Sequence, residues 1–219
     1  AQGTILRDQG RPSLVLIGEG SKDAGDLIQE VYQNSTSSEP YYARMSLTEA
    51  EICKIALNCF LTTKISFANM VGDIARFAGA NPDIILKAIG SEDRISPKYL
   101  NYGYGYGGPC FPRDNRALAI YAAEKGVDAK ISLASDHFNK AHLRYQVELF
   151  KMENDKSKEV VFEYVTYKPQ STMIEESQQL LFAKELAVNG YNVVVKERQE
   201  VIRQIKDIYG DLFSYVIRS

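Results

Sequence analysis

The sequence predicts a multidomain α/β chain, with an all-helical middle followed by a small three-stranded parallel α/β domain. Two observations lead there. From Ser46 to about residue 152, apolar residues recur at helical spacing and polar breakers are confined to short joins. From residue 153 onward, apolar runs alternate with helical stretches as strand, helix, strand, helix, strand. Joins of only a few residues between such elements imply parallel strands with helical crossovers. The chain has 219 residues and 45% apolar side chains, enough for a real core in each part.

The elements follow in order. Residues 13–18 form a short apolar run closed by Gly18, which reads as a buried strand. Residues 23–33 carry Ala24, Leu27, Ile28 and Val31 at helical spacing, and 34–40 are a polar loop ending in Pro40. Ser46-Leu47-Thr48-Glu49 is a capping-box signature, and helical pattern runs from it to about Ala78. A second helix is expected over 82–89, with Pro82 in its first turn beside Asn81 as cap. Residues 101–112 form a Gly/Tyr-rich loop, 113–125 a helix, and 132–152 a long amphipathic helix. After the charged connector 153–158, strands are expected over 160–165, 191–195 and 212–217. The helices between them cover 175–189, stopped by Gly190, and 199–209.

Composition narrows the function. A net charge of -2 without a basic run gives no nucleic-acid surface. No apolar run approaches the roughly 18 residues of a membrane span. The N-terminal Ala1-Gln2-Gly3-Thr4 has the features of neither a signal nor a transit peptide. Cys53, Cys59 and Cys110 are odd in number and lack a metal-ligand spacing, so they read as reduced thiols in a cytoplasmic protein, with no metal site. With only His137 and His142, chemistry built on a histidine base or a His-rich metal site is not expected.

One loop has the makings of a site. In Tyr102-Gly103-Tyr104-Gly105-Tyr106-Gly107-Gly108-Pro109-Cys110, glycines allow backbone amides to approach a ligand, and the loop leads into a helix opening with Pro112, Arg113 and Asp114. A cysteine at the positive end of a helix beside an arginine is placed as a nucleophile is. The alternative is a buried structural cysteine, which fits Cys53 and Cys59. Asp114, one turn after Cys110, either orients a water or lysine near the sulfur or compensates the helix dipole. Lys54 and Asn58, one turn apart on the face of Leu61, either point into a site or form a solvated stripe. Arg94 is either an anion clamp or an exposed loop charge.

The segments Ala1-Gln2-Gly3-Thr4-Ile5-Leu6-Arg7-Asp8, Lys54-Ile55-Ala56-Leu57-Asn58, Asp93-Arg94-Ile95 and Gly105-Tyr106-Gly107-Gly108-Pro109-Cys110-Phe111-Pro112-Arg113-Asp114 follow in the order seen in UDP-glucose 6-dehydrogenases. The chain resembles that family of UDP- and GDP-sugar dehydrogenases. The resemblance implies a remnant of an N-terminal Rossmann domain (1–45), a central helical substrate and dimerisation domain (46–152) and a shortened C-terminal nucleotide-sugar domain (153–219). It implies NAD-dependent oxidation of a sugar C6 alcohol to the uronic acid in two steps, through a thiohemiacetal and a thioester on Cys110. Lys54 and Asn58 then stabilise the oxyanion, and Asp114 handles protons and water. Tyr102, Tyr104, Gly105, Tyr106, Gly107 and Phe111 belong to the substrate loop, with Lys168 contributed by the last domain. Arg94 reaches the sugar across a homodimer whose contact involves the helix carrying Asn139. The implied partners are a UDP-sugar and a second copy of the chain.

The pattern also departs from the family. No G-x-G-x-x-G follows a strand, and Gly18-Glu19-Gly20 lacks the third glycine, so the main NAD site is expected to be missing. Gln2 stands where the family often has a carboxylate. In Tyr167-Lys168-Pro169-Gln170-Ser171-Thr172-Met173-Ile174-Glu175-Glu176-Ser177, Met173 replaces an Asp and Glu175 an Arg that faces the cofactor. Lys196-Glu197 stands where an Asp-Pro usually follows the second strand. Met173 and Glu175 favour the competing reading of a non-catalytic nucleotide-sugar-binding or dimerisation module, and the retained Cys110, Lys54, Asn58 and Asp114 oppose it.

Overall fold

The computed structural model of the chain describes residues 5–218, so Gln2 lies outside the described residues. By internal contacts the chain divides into Ala1–Leu57 and Asn58–Ser219.

The first unit opens with a short helix, α1 (Ile5–Gly10), and a β-α-β element of β1 (Leu14–Gly18), α2 (Lys22–Ser35) and β2 (Tyr41–Met45). The two strands run parallel, with Leu14 opposite Tyr41 and Gly18 opposite Met45. The sequence reading did not anticipate β2, because Tyr41-Tyr42-Ala43-Arg44-Met45 has neither β-branched residues nor alternation. The contacts of Arg44, a residue of β2, are what tie it in. Its guanidinium bridges Glu19 and Asp26 and donates to the Lys22 carbonyl at 3.0 Å. A Cβ on Gly18 would lie 2.8 Å from Ala50 Cβ, so only glycine lets the strand end close on the helix that follows.

That helix, α3 (Leu47–Phe77), has 31 residues and starts at the expected capping box. Ser46 N donates to Glu49 Oε2 at 2.7 Å, and Glu49 N donates back to Ser46 Oγ at 3.4 Å. The side-chain and backbone bonds from Ser46 hold the Glu49 carboxyl below the usual carboxylate range.

The second unit continues α3 and adds α4 (Pro82–Gly90), α5 (Phe111–Glu124) and α6 (Lys130–Glu153). Asn81 caps α4 as expected, accepting from Asp83 N at 2.9 Å. Then come β3 (Val160–Phe162), α7 (Gln178–Val188), β4 (Val193–Glu197), α8 (Gln199–Tyr209) and β5 (Ser214–Ile217). The strands form a parallel sheet in the order β3-β4-β5, as the alternation predicted. Val165, Leu186, Val195, Val201 and Ile205 are fully enclosed there, and Val147 of α6 joins the same core. Each such aliphatic side chain contributes about 1.5–3 kcal/mol on burial. The sheet and α6 therefore share one core, while Ala68, Leu86 and Leu100 form a second one between α3, α4 and the loop after it.

Several boundaries shift by one to three residues, among them the start of α5 at Phe111 rather than 113 and of β5 at Ser214 rather than 212. Three shifts have a visible physical reason. β3 stops at Phe162 rather than at 165, and Val165 N beyond it donates to the buried Glu197 carboxylate at 3.3 Å. α7 begins at Gln178 rather than 175, because Ser177 Oγ accepts from Leu180 N and Glu176 holds φ +45. β4 begins at Val193 rather than 191, because Gly190 at φ +86 ends α7 and Tyr191 is spent in the core. Among the described residues, no helix is long and apolar enough to cross a membrane.

Candidate active site

Cys110 is the N-cap residue of α5, exposed, with Arg113 Nη2 3.9 Å from its Sγ. Asp114 N donates to the Cys110 carbonyl at 2.8 Å, which winds the first turn directly from the thiol-bearing residue. The Asp114 side chain is 8% exposed, and Arg113 Nη2 lies 3.3 Å from its Oδ1. Its Oδ2 accepts from Asn58 Nδ2 of α3 at 2.6 Å. One turn further along α3, Thr62 Oγ1 accepts from Asn115 Nδ2 at 2.8 Å, and Asn115 Nδ2 also donates to the Phe111 carbonyl at 2.8 Å. Two polar pairs thus lace α3 to the start of α5, the Thr62–Asn115 pair fully buried and the Asn58–Asp114 pair partly so. Asn58 and Asp114 are brought together, not left as separate solvated positions.

The Gly/Tyr loop is pinned residue by residue. Asn139 of α6 accepts from Tyr106 N at 2.9 Å and donates to Tyr106 O at 2.8 Å, gripping both polar groups of one residue's backbone. A Cβ on Gly105 would lie 2.2 Å from Asn139 Oδ1, so the grip requires glycine. Gly107 is similarly close to the Glu176 carbonyl, and Gly108, at φ +82, donates its N–H to Glu175 O at 2.9 Å. Tyr102 donates its hydroxyl to Asp73 Oδ1 at 3.0 Å. Tyr106 is 4% exposed and meets Phe111 edge-on at 6.3 Å between centroids, whereas Tyr104 is 40% exposed. Burial pushes the Tyr102 and Tyr106 phenols up, and that of Tyr104 to about 12, so all three stay neutral and none serves as a base near pH 7.

The segment before α7 closes over this loop. Arg116 of α5 bonds Glu176 at 2.7 Å and Asp136 of α6 at 3.1 Å, and Lys140 adds a second cation to Asp136 at 2.9 Å. Over the start of α5 opens a cleft of about 590 Å³ lined by Gly108, Pro109, Arg113, Arg116, Glu175 and Glu176, with Cys110 outside its lining. Two arginines and two glutamates in one cleft suit a ligand that carries both charge and hydroxyl groups. Lys168 Nζ lies 5.4 Å from the Tyr167 ring centroid, and the same ring packs on Gly108. Arg94, 87% exposed, is held by Glu92 at 3.0 Å. Lys54 belongs to the first unit, where it lines a cleft of about 540 Å³ with Leu16, Ala50, Glu51 and Ile55. No group of three or more His, Cys, Asp or Glu side chains among the described residues could hold a metal.

A model of the central domain of the UDP-glucose/GDP-mannose dehydrogenase family matches residues 48–141. The chain belongs to this family. It is 31% identical over 196 residues to a UDP-glucose 6-dehydrogenase of Pseudomonas aeruginosa, covering 88% of this chain and 43% of that protein. A UDP-glucose 6-dehydrogenase of Haloferax volcanii is 28% identical, covering 88% and 46%. The fold superposes on a UDP-glucose dehydrogenase structure from the hyperthermophilic archaeon Pyrobaculum islandicum with a TM-score of 0.85 and 30% identity, covering 96% of this chain and 48% of that one. The chain spans about half the length of the relatives it matches.

As a nucleotide-sugar dehydrogenase relative, the chain can be tested for a fit to NAD. The β1–α2 turn of the first unit holds Glu19, whose carboxylate is tied to Arg44 and lies against Gly25 in the first turns of α2. A pyrophosphate needs bare backbone amides at such a turn, and a carboxylate there repels it. This turn therefore does not fit the cofactor's pyrophosphate. Sequence reasoning also missed residues that shape the site of this family member: Asn69, Asp73, Thr62, Asn115 and His142. Their signal was faint, isolated polar side chains on α3, α5 and α6 in helices that otherwise read as ordinary.

Proposed function

We propose that the chain is the sugar-binding and thiol-bearing portion of a nucleotide-sugar dehydrogenase that oxidises a UDP-sugar C6 alcohol to the uronic acid. The observation that carries this reading is Cys110, exposed at the first turn of α5 with Asp114 held beside it by Asn58. The C6 aldehyde is attacked by the Cys110 sulfur to give a thiohemiacetal, whose oxyanion Lys54 and Asn58 stabilise. After oxidation to the thioester, Asp114 orients the water that releases the carboxylate and restores the thiol. The oxidations themselves are NAD-dependent in this reading, and no step is assigned to NAD on this chain's residues.

The loop from Tyr102 to Gly107, with Phe111 and Lys168, receives the sugar nucleotide, and Arg94 reaches the sugar of a second copy. A homodimer is supported by α3, where Phe60, Phe67 and Ile74 recur every seven residues and are 63%, 44% and 62% exposed. Calorimetry with UDP-glucose, UDP-N-acetyl sugars and GDP-mannose tests the reading, with Cys110→Ser as control. Binding of a nucleotide sugar is expected, and none at millimolar ligand would overturn it.

Met173 and Glu175, which line a second cleft with Asp207, favour an alternative reading as a non-catalytic nucleotide-sugar-binding or dimerisation module. Sugar binding combined with a Cys110 thiol no more reactive than the other two would favour the module over the enzyme.

A further inference from the structure

Polar side chains of α3 and α6 converge on the loop at residues 102–106, and one of them has no place in the mechanism. His142 is 1% exposed, with its ring stacked on Phe138 at 6.0 Å between centroids. Its Nε2 lies 2.7 Å from the Gly103 carbonyl oxygen and its Nδ1 2.8 Å from Asp73 Oδ2. A carbonyl oxygen can only accept, so Nε2 carries a proton and donates it. Asp73 also accepts from Tyr102, and Gly103 N donates to Asn69 Oδ1 at 3.1 Å. Gln146 Nε2 adds a second, longer bond of 3.1 Å to the Gly103 carbonyl. Asp73 thus aims the imidazole, and the imidazole fixes the peptide from which the loop turns toward Cys110.

We propose that His142 is a positioning residue for the sugar-nucleotide loop, acting through its Nε2 bond to Gly103 with Asp73 setting its orientation. The proposal rests on the reading that this loop receives the sugar nucleotide. A side chain that merely fills the core would be replaceable by any residue of similar size and polarity. His142→Asn and His142→Gln separate the two roles. Asparagine sets an amide near the place of Nδ1, facing Asp73, and leaves Gly103 without this donor. Glutamine sets an amide near the place of Nε2 and keeps the Gly103 bond.

Hydrogen exchange of the full chain, followed by mass spectrometry, reads the loop without any ligand. Exchange at 103–106 is expected to quicken about tenfold in His142→Asn and to stay within about twofold of the unsubstituted chain in His142→Gln. Affinity for UDP-glucose should weaken in the same order. Equal quickening in both variants, or in neither, overturns the proposal. If neither variant folds, histidine-labelled unsubstituted protein should give a slowly exchanging Nε2 proton in its nitrogen-correlated spectrum, and its absence overturns the proposal. Failure of the unsubstituted chain to bind any nucleotide sugar sinks the functional reading instead, and leaves the exchange result to decide the role of His142.

Discussion

Asn58 Nδ2 donates to Asp114 Oδ2 over 2.6 Å, joining α3 to the first turn of α5 across 56 residues of sequence. Because Asp114 is buried, removing this donor takes a hydrogen bond from a carboxylate that is shielded from water. Asn58→Ala should therefore cost about 1.5–3 kcal/mol, the range for bonds to charged groups. In a chain of this size that lowers the thermal midpoint by several degrees. A urea denaturation series measures it, and a loss under about 0.5 kcal/mol would show that the pair contributes little.

Cys110 is exposed at a helix start with an arginine 3.9 Å from its sulfur, while Cys59 is 4% exposed inside α3. A disulfide reagent should consume one thiol at least about tenfold faster than the others, since access and local positive charge both favour it. That fast phase should vanish in Cys110→Ser. Its persistence there would move the reactive thiol to Cys53.

Gly105 faces Asn139 so closely that a methyl group would sit 2.2 Å from its side-chain oxygen. Gly105→Ala is expected to push Asn139 off the Tyr106 backbone, losing two hydrogen bonds and about 1–3 kcal/mol. Asn139→Leu removes the same clamp and should match it in loop exchange and in nucleotide-sugar affinity. If Gly105→Ala bound normally while Asn139→Leu did not, the close approach would not be what holds the loop.

Burial pushes the Asp136 carboxyl up, but the bonds from Arg116 and Lys140 outweigh it and hold it below the usual carboxylate range. The unfolded chain therefore takes up this proton first as pH falls. Asp136 contributes stability above the unfolded value of about 3.9 and loses it below. Urea midpoints measured from about pH 6 down to pH 3 should fall less steeply in Asp136→Asn. The flattening should be partial, because Glu49 and Asp155 are lowered too, by bonds from Ser46 and Ser157. An unchanged slope would mean that the Arg116 cluster is neutral in folding.

Local rules carried much of this chain. The capping box at Ser46, the Asn81 cap, and the strand-helix alternation after residue 153 are short-range features, and each fixed an element at or near its observed place. The order of the motifs around Cys110 also settled the family. What failed locally was β2, since its ladder partners in β1, such as Ile17 opposite Arg44, lie far earlier in the chain than any window around it reaches.

Around Cys110 the division is sharper. Sequence by itself placed a cysteine at the start of a helix, with glycines before it and Arg113 and Asp114 after it, and its exposure came from the structure. Only tertiary structure decided that Asp114 meets Asn58, that Asn139 grips Tyr106, and that His142 and Asp73 hold Gly103. The physical reason is that a helix repeats its faces every three or four residues, so a polar side chain on it looks solvated until a second element covers it. Packing α5, α6 and the loop against α3 made those side chains the fixed frame of the site.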